Sequence, residues 1–500
     1  MALATAMLLA GCALTSPGPG AAPDVPAAWS ATRPHGASTV DLTRWWSQFD
    51  DPLLAQLIDA AQQNNADLAQ AAARIAQARA NARAVDGALW PAVNASASGS
   101  RARTDVPAPT LRATTTAIGL DAAWEIDLFG ATRRTGEAAR TQADARLADW
   151  HDLRVTLAAE VGRTYAGLRA CEMLVDVFAQ DNTAQKRVDT LTAVKVGAGL
   201  ESRANGALAA ASRADASNRL VAQRAECDTL VKSLVALTAL PEPTLRPQLA
   251  ARSARLPLPA AFTVDALPVA VLAQRPDLAA AEREVRAASS EVGAARADRY
   301  PRLSLTGSIT RVELRSDGAT TRGNNTSFGP AVSLPLFDAG RRAANVDAAL
   351  ARYEEARARW IQRAREAVRE VETALVRLDA AERREADALQ AAQGFRVFLD
   401  AEQARVDVGA GSLLDLESAR RNALVAAATL INVQSERVTA WIALYKAMGG
   451  GWSAAPDAAV ASVASVASTA STAATAATPS APAAGAAGPT AFVPSPVSQR

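Results

Sequence analysis

KVGAGLESRANGAL occupies residues 195–208, and DVGAGSLLDLESARRNAL occupies 407–424. Both contain the flexible tetrapeptide Val-Gly-Ala-Gly, the second copy starting 212 residues after the first (408 less 196). Each copy interrupts a stretch without proline, 131–240 and 336–455. These stretches are rich in Ala, Leu, Glu, Gln and Arg, residues that lose little on entering a helix. In the second, bulky positions such as Leu350, Tyr353, Trp360, Val371, Leu375 and Leu378 fall on steps of three and four, the spacing of a helical seam. Two glycines within three residues, in mid-helix, predict a chain reversal. As one helix, 131–196 would run roughly 100 Å at about 1.5 Å per residue. The reading is two long antiparallel hairpins, 131–240 and 339–449, with Gly197, Gly199, Gly409 and Gly411 at their tips.

The hairpins belong to an internal duplication. Asp67-Leu68-Ala69 matches Asp277-Leu278-Ala279, and Trp90-Pro91 matches Tyr300-Pro301. Leu128-Phe129 with Arg133-Arg134 matches Leu336-Phe337 with Arg341-Arg342. ESRANGAL (201–208) matches ESARRNAL (417–424). On that alignment the second bend carries four extra residues, Ser412 to Asp415. The repeats span 42–240 and 264–453, with a connector at 241–263.

Before each hairpin lie two candidate strands, about 91–102 and 114–128 in the first repeat and about 302–314 and 326–337 in the second. Ile118, Leu120, Ala122, Trp124, Ile126 and Leu128 alternate with Asp121, Glu125 and Asp127, the period of a strand with two different faces. Such alternation over about ten residues fits a transmembrane β-strand, and also a soluble sheet with one wet face. The small polar residues and the Gly/Asn/Ser-rich connectors at 103–113 and 316–325 favour the membrane. Four strands cannot close a barrel, and open edges are not tolerated in lipid. The chain therefore has to oligomerise, with a strand barrel in the membrane and a helical tunnel beneath it.

The chain is about half apolar, but only 4% aromatic, and its formal net charge is +2. Much of the apolar content is alanine, which suits close-packed helices. The charge pattern shows no basic footprint for nucleic acid. Two His and three Cys offer no metal cage and no Cys–His nucleophile. There is no phosphate loop or nucleophile elbow, so no catalytic residue, metal site or cofactor is expected. Residues 1–11 form a short apolar run, and Cys12 directly after Leu9-Ala10-Gly11 resembles a bacterial lipobox. The resemblance implies a cleaved signal peptide and an acylated Cys12, followed by a Pro/Gly/Ser-rich tether over 12–41. The basic start of an ordinary signal is missing from 1–11. Ala/Ser/Thr/Pro-rich 454–500 cannot bury a core and reads as a disordered tail.

TRWWSQFDDPLLAQLIDAAQQNNADL (43–68), LAQRPDLAAAEREVRAASSEVGAARADRYPRLSLTGS (272–308) and VGAGSLLDLESAR (408–420) resemble the TolC-like outer-membrane efflux proteins, in the NodT-type lipoprotein branch. The resemblance covers about residues 12–450. It implies a mainly α, mixed fold: long helical hairpins forming a periplasmic α-barrel, and four strands per protomer in a trimeric 12-stranded β-barrel. It also implies a homotrimer in the outer membrane that works with a periplasmic adaptor and an inner-membrane RND transporter. Asp415 matches the family's acidic position near the helical tip, which implies a ring of three carboxylates constricting the pore. A solvated helix-face charge is the plainer alternative. Arg405 and Asp407 are candidate ion-pair partners there. The bends would serve as turning points and adaptor contacts.

Cys171 lies 27 residues before a bend centred on 198, and Cys227 lies 29 after it. On antiparallel helices they come to nearly the same height, and an oxidising compartment favours a disulfide. Two buried thiols facing different neighbours is the alternative, because equal height does not set azimuth. The function read from all this is a passive exit duct for drugs or other small molecules, gated at the periplasmic helix tips. A protein-secretion or metal-export duct and a non-conducting structural lipoprotein are the other readings.

Overall fold

The computed structural model describes residues 49–104, 111–257, 268–316 and 318–452, with scattered positions between 16 and 46. The signal peptide, Cys12 and the 454–500 tail lie outside the described residues. The described residues belong to one compact unit ending at Ala454.

The first repeat runs α1 (Pro52–Asn64), α2 (Ala66–Gly87), β1 (Ala92–Thr104), β2 (Leu111–Ile126), α3 (Ala131–Gly197) and α4 (Arg203–Thr238). A short α5 (Glu242–Ala250) follows. The second repeat runs α6 (Pro268–Ala273), α7 (Pro276–Ala297), β3 (Arg302–Ser316), β4 (Ala319–Ser333), α8 (Arg341–Asp407) and α9 (Leu413–Ala447). Helix starts follow local chemistry. Asp51 Oδ1 accepts from Leu53 N at 3.1 Å with Pro52 next, and Asn65 Oδ1 accepts from Asp67 N at 2.8 Å. The two longest helices each follow a left-handed glycine, Gly130 (φ 77°) and Gly340 (φ 85°).

α3 and α8 have 67 residues each, roughly 100 Å at about 1.5 Å per residue. In their strand-proximal turns they pack, with α7 between them, through small residues such as Ala138, Ala145, Ala148, Ala281, Ala288 and Ala349, all buried. A thick core occurs at one level, where α1, α3, α4, α5, α8 and α9 meet around Trp45, Leu57, Leu168, Leu234, Leu375 and Trp441. Trp45 lies 6.0 Å from the Trp441 ring and 5.5 Å from Tyr445. Trp46 lies on α3 at Gly162, where a Cβ would stand 2.8 Å from the indole. Each fully buried Leu here contributes about 1.5–3 kcal/mol.

The four strands form one antiparallel sheet in the order β1-β2-β3-β4, with the β2–β3 pair joining the two repeats. β4 starts earlier than the expected 326 and ends at Ser333, so Leu334 and Leu336 lie beyond it. The segment read as a connector, 316–325, is mostly strand, and the turn sits between Ser316 and Ala319 with Gly318 at φ 82°. Alternation failed to show this because Thr, Asn and Gly fill both faces there. β1 and β2 likewise extend to 104 and from 111, into the segment taken as the first connector.

Candidate functional site

Register assigns the two faces of the sheet, because directly paired residues share a face. Ala95, Leu120, Ile309 and Thr326 form one row; Ala122, Gly307 and Phe328 form another. This face presents exposed Val93, Ile118, Leu120, Ile309, Phe328 and Val332. The opposite face is small and polar: Ser96, Ser98, Asp121, Ser308, Asn325 and Ser327. Ser308 and Ser327 hydroxyls hydrogen-bond at 2.8 Å. At the helix end of the sheet, Trp124 Nε1 donates to the Leu89 carbonyl at 2.9 Å. Trp90 is exposed, and Tyr300 stacks on Phe129 with centroids 4.9 Å apart.

At the far ends of α3 and α8 the two bends are built alike, but not where the shared tetrapeptide suggests. Leu200 N bonds to Lys195 O and Gly199 N to Val196 O; Ala410 N bonds to Arg405 O and Gly409 N to Val406 O. These are matching Schellman closures, with the left-handed residue at Gly199 (φ 73°) and Gly409 (φ 78°). Gly197 is the last residue of α3. Gly411 allows a close approach, since a Cβ there would stand 2.9 Å from Val406 N. Ser202 and Ser412 then cap α4 and α9, accepting from Asn205 N and Leu414 N at 3.1 Å each. The true offset between the repeats is therefore 210 residues (409 less 199), the same as for α3 and α8. This corrects the reading of four extra residues in the second bend. Ser412 to Asp415 have counterparts in Ser202 to Asn205.

Asp415 is exposed in the first turn of α9, and its counterpart in the first bend is the neutral Asn205. The carboxylate of the first bend is instead Glu201. Hydrogen bonds from Ser202 N and then from the Asn205 amide hold it below the usual glutamate range. The candidate ion pair beside it goes elsewhere: Arg405 pairs with Glu402 at 3.0 Å, and Asp407 accepts from Gln403 at 2.9 Å. Both are committed to their own helix at three- and four-residue spacing.

One turn inside the second tip lies a buried polar chain that sequence reading missed. Gln185 Nε2 on α3 donates to Glu417 Oε2 at 2.6 Å. Arg420 donates to Glu417 Oε1 at 3.0 Å and to Gln403 Oε1 at 3.1 Å. Glu417 and Arg420 are each 7% exposed. The chain ties the first hairpin to both helices of the second. Its only sequence signal is the Glu-x-x-Arg spacing, which is common on solvated helices.

Cys171 and Cys227 form a disulfide with Cα atoms 5.6 Å apart, linking α3 to α4. Arg275, ahead of α7, is buried and donates to the Ala447 carbonyl at 2.8 Å while pairing with Asp277 and Glu370 at 2.8 Å each. It thus closes the second repeat end to end. Asp152 on α3 lines a cavity of about 1010 Å³ between α2, α3, α7 and α8. Burial, reinforced by the charge of Asp277, raises its carboxyl from the usual 3.8 to about 6, against the pull of Lys446, Arg275 and Arg363. No motif marked this residue.

Among the described residues no helix is long and apolar enough to cross a membrane, and no group of His, Cys, Asp and Glu could hold a metal ion.

The family model described as outer membrane efflux protein matches residues 57–240 and 267–450, one stretch in each repeat. The chain is 31% identical over 468 residues to outer membrane protein OprJ of Pseudomonas aeruginosa, covering 90% of this chain and 95% of that one. It is 28% identical to the solvent efflux pump outer membrane protein SrpC of Pseudomonas putida, covering 90% and 97%. Among solved structures, the outer-membrane channel OprN superposes with a TM-score of 0.74 at 28% identity, covering 86% of this chain and 99% of that one. The CmeC outer membrane channel of Campylobacter jejuni gives 0.77 at 25% identity, covering 87% and 93%. With a family match spanning both repeats, and fold and sequence in agreement, the chain belongs to the outer membrane efflux protein family.

Proposed function

We propose that the chain is the outer-membrane channel of a tripartite efflux system: a passive homotrimeric duct carrying drugs or other small molecules outward from an inner-membrane RND pump and its periplasmic adaptor. One observation carries the reading. A sheet with one apolar and one small-polar face continues into two helices of 67 residues each. β1 and β4 end the sheet, and lipid tolerates no open edge, so each must pair with a neighbouring copy. Three copies close twelve strands, with the apolar face toward lipid and the Ser/Asn/Asp face toward water. The helices extend into the periplasm, and the role asks for no catalytic residue and no cofactor.

Gating is assigned to the helix tips. Three Asp415 side chains, one per protomer, narrow the pore and favour cations. The Gln185–Glu417–Arg420–Gln403 chain holds the second hairpin against the first, so opening requires its partial release. The glycine bends present small-residue surfaces to the adaptor. Cys12 is the lipid anchor. In support, the chain five and six residues later lies against α7 and α8. There Ser289 donates to the Pro17 carbonyl, and the Tyr353 hydroxyl donates to the Gly18 carbonyl at 2.8 Å.

Planar-bilayer recording of the purified full-length protein tests the duct directly, with stepwise, cation-favouring conductance expected. A protein that inserts but never conducts would leave the non-conducting structural reading. Intact mass of the mature protein checks the acylated Cys12.

A further inference from the structure

The outward face of the sheet changes character along its length. Near the helices it is apolar: on β2 the run from Ile126 to Ile118 covers roughly 20 Å of height for a strand tilted about 45°. From the Ile118 row outward, away from the helices, the same face carries six arginines: Arg101, Arg103, Arg112, Arg311, Arg315 and Arg322. All six are exposed. The register places one carboxylate among them, Glu313, which pairs with Arg315 and Arg322 at 2.8 Å each. Arg103 and Arg112 stand directly opposite each other across β1 and β2. On the opposite face Arg302 sits at the helix end, hydrogen-bonded to Asp298. The basic charge is thus sorted by face and by height.

A second feature adjoins this belt. A groove of about 420 Å³ runs over Ala95, Ala97, Ile118, Leu120 and Ile309, and Arg311 and Asn324 line its upper end. Two alanines on β1 open it beside the larger Ile118, Leu120 and Ile309. An apolar trough capped by a guanidinium and an amide has the form of a seat for an acyl chain beneath a phosphate.

We propose that this face binds phosphate-bearing glycolipid of the outer leaflet, with an acyl chain in the Ala95–Ile309 groove and headgroup phosphates on Arg311, Arg101 and Arg112. The inference rests on the barrel reading, which decides that this face meets lipid. The belt starts at the row of Ile118, where the apolar band ends, and so falls at headgroup level. The lumen keeps its own polar lining, so conduction does not depend on these arginines.

The test uses the full-length protein in nanodiscs and bis-phosphorylated lipid A as the probe, with dephosphorylated lipid A in parallel. Combined Arg101→Gln, Arg112→Gln and Arg311→Gln should weaken binding about a hundredfold, and the corresponding Lys variant should recover most of it. Ala97→Phe, which fills the groove and leaves every arginine, should also displace the lipid. Equal binding by wild type and the Gln variant, or equal binding of the dephosphorylated probe, would overturn the proposal. Wild-type conductance is recorded on the same preparations. A conducting protein that does not distinguish the probes refutes the lipid site alone, whereas a non-conducting wild type refutes the duct.

Discussion

The two hairpins share a length, a bend and a 210-residue register, yet they are held shut by different chemistry at equivalent rungs. The first is locked by the Cys171–Cys227 disulfide. The counterparts of these residues in the second are Ala381 and Arg437, and Arg437 pairs instead with Glu385 at 2.5 Å, with Gln434 as a further donor. Where the two ends of each repeat meet, the order of strength reverses. Asn65 makes one long 3.5 Å bond to the Leu237 carbonyl, where its counterpart Arg275 makes a 2.8 Å bond to Ala447 and two ion pairs. A covalent tie resists sliding of two helices; an ion pair can break and re-form. The first hairpin is built as a fixed rail, and the second as the part that can shift against it. The asymmetry arises although both copies have the same backbone.

The largest expected effect comes from removing the covalent tie. Cys171→Ser with Cys227→Ser should lower stability by about 4 kcal/mol, from the 56-residue separation that the bond closes. Replacing Arg437 and Glu385 together by Met and Leu should be near neutral, because the pair's desolvation offsets most of its attraction. Chemical denaturation followed by helical circular dichroism compares the two; equal losses would erase the distinction between rail and moving part.

Next in size is Asp152, whose counterpart in the second repeat is Gln362. Its carboxyl is raised from 3.8 to about 6, so its charge costs nothing below about pH 4 and reaches full cost above about pH 6. Asp152→Gln should therefore stabilise the protein by about 3 kcal/mol near pH 8 and leave it unchanged near pH 4. Melting temperatures at the two pH values check this, and a gain that does not depend on pH would mean the residue acts through packing alone.

Transplanting the lock comes third. Ala381→Cys with Arg437→Cys should form a disulfide on air oxidation, visible by non-reducing mass spectrometry. The net gain should be about 2 kcal/mol, because the ion pair is lost. It should also slow opening in bilayer recordings. Free thiols after oxidation would show that the hairpins differ in azimuth despite their shared register. The smallest effect on stability, within about 0.5 kcal/mol, belongs to Asp415→Asn, which puts the first bend's Asn205 amide at the equivalent position of the second. Its readout is functional: cation preference should fall and leakage of large antibiotics should rise.

Much of this was legible in the residues. Proline-free stretches and the glycine bends showed two hairpins, and alternation from Ile118 to Ile126 showed a two-faced strand. The duplication was visible, and Asp67 over Asp277 and Trp90 over Tyr300 already carried the offset of 210. The Val-Gly-Ala-Gly pair misled because identity of letters is not identity of position. A Schellman closure needs one glycine, and the two copies use different ones, Gly199 and Gly409. Aligning the capping serines, Ser202 and Ser412, would have restored the register. The far end of β4 escaped notice because polar residues fill both of its faces. Asp152 and the Glu417–Arg420 chain escaped because isolated charges on a helix look alike until burial sorts them.

The sequence by itself determined the periodicities: where helices run, where they reverse, which strand face is apolar, and that two copies of one plan exist. Those are local properties, set by backbone preference and residue spacing over a few turns. Tertiary structure decided which charges lose their water, and that all six arginines of the distal strands share one face. Each of these depends on what another segment, far away in the chain, brings within a few ångströms.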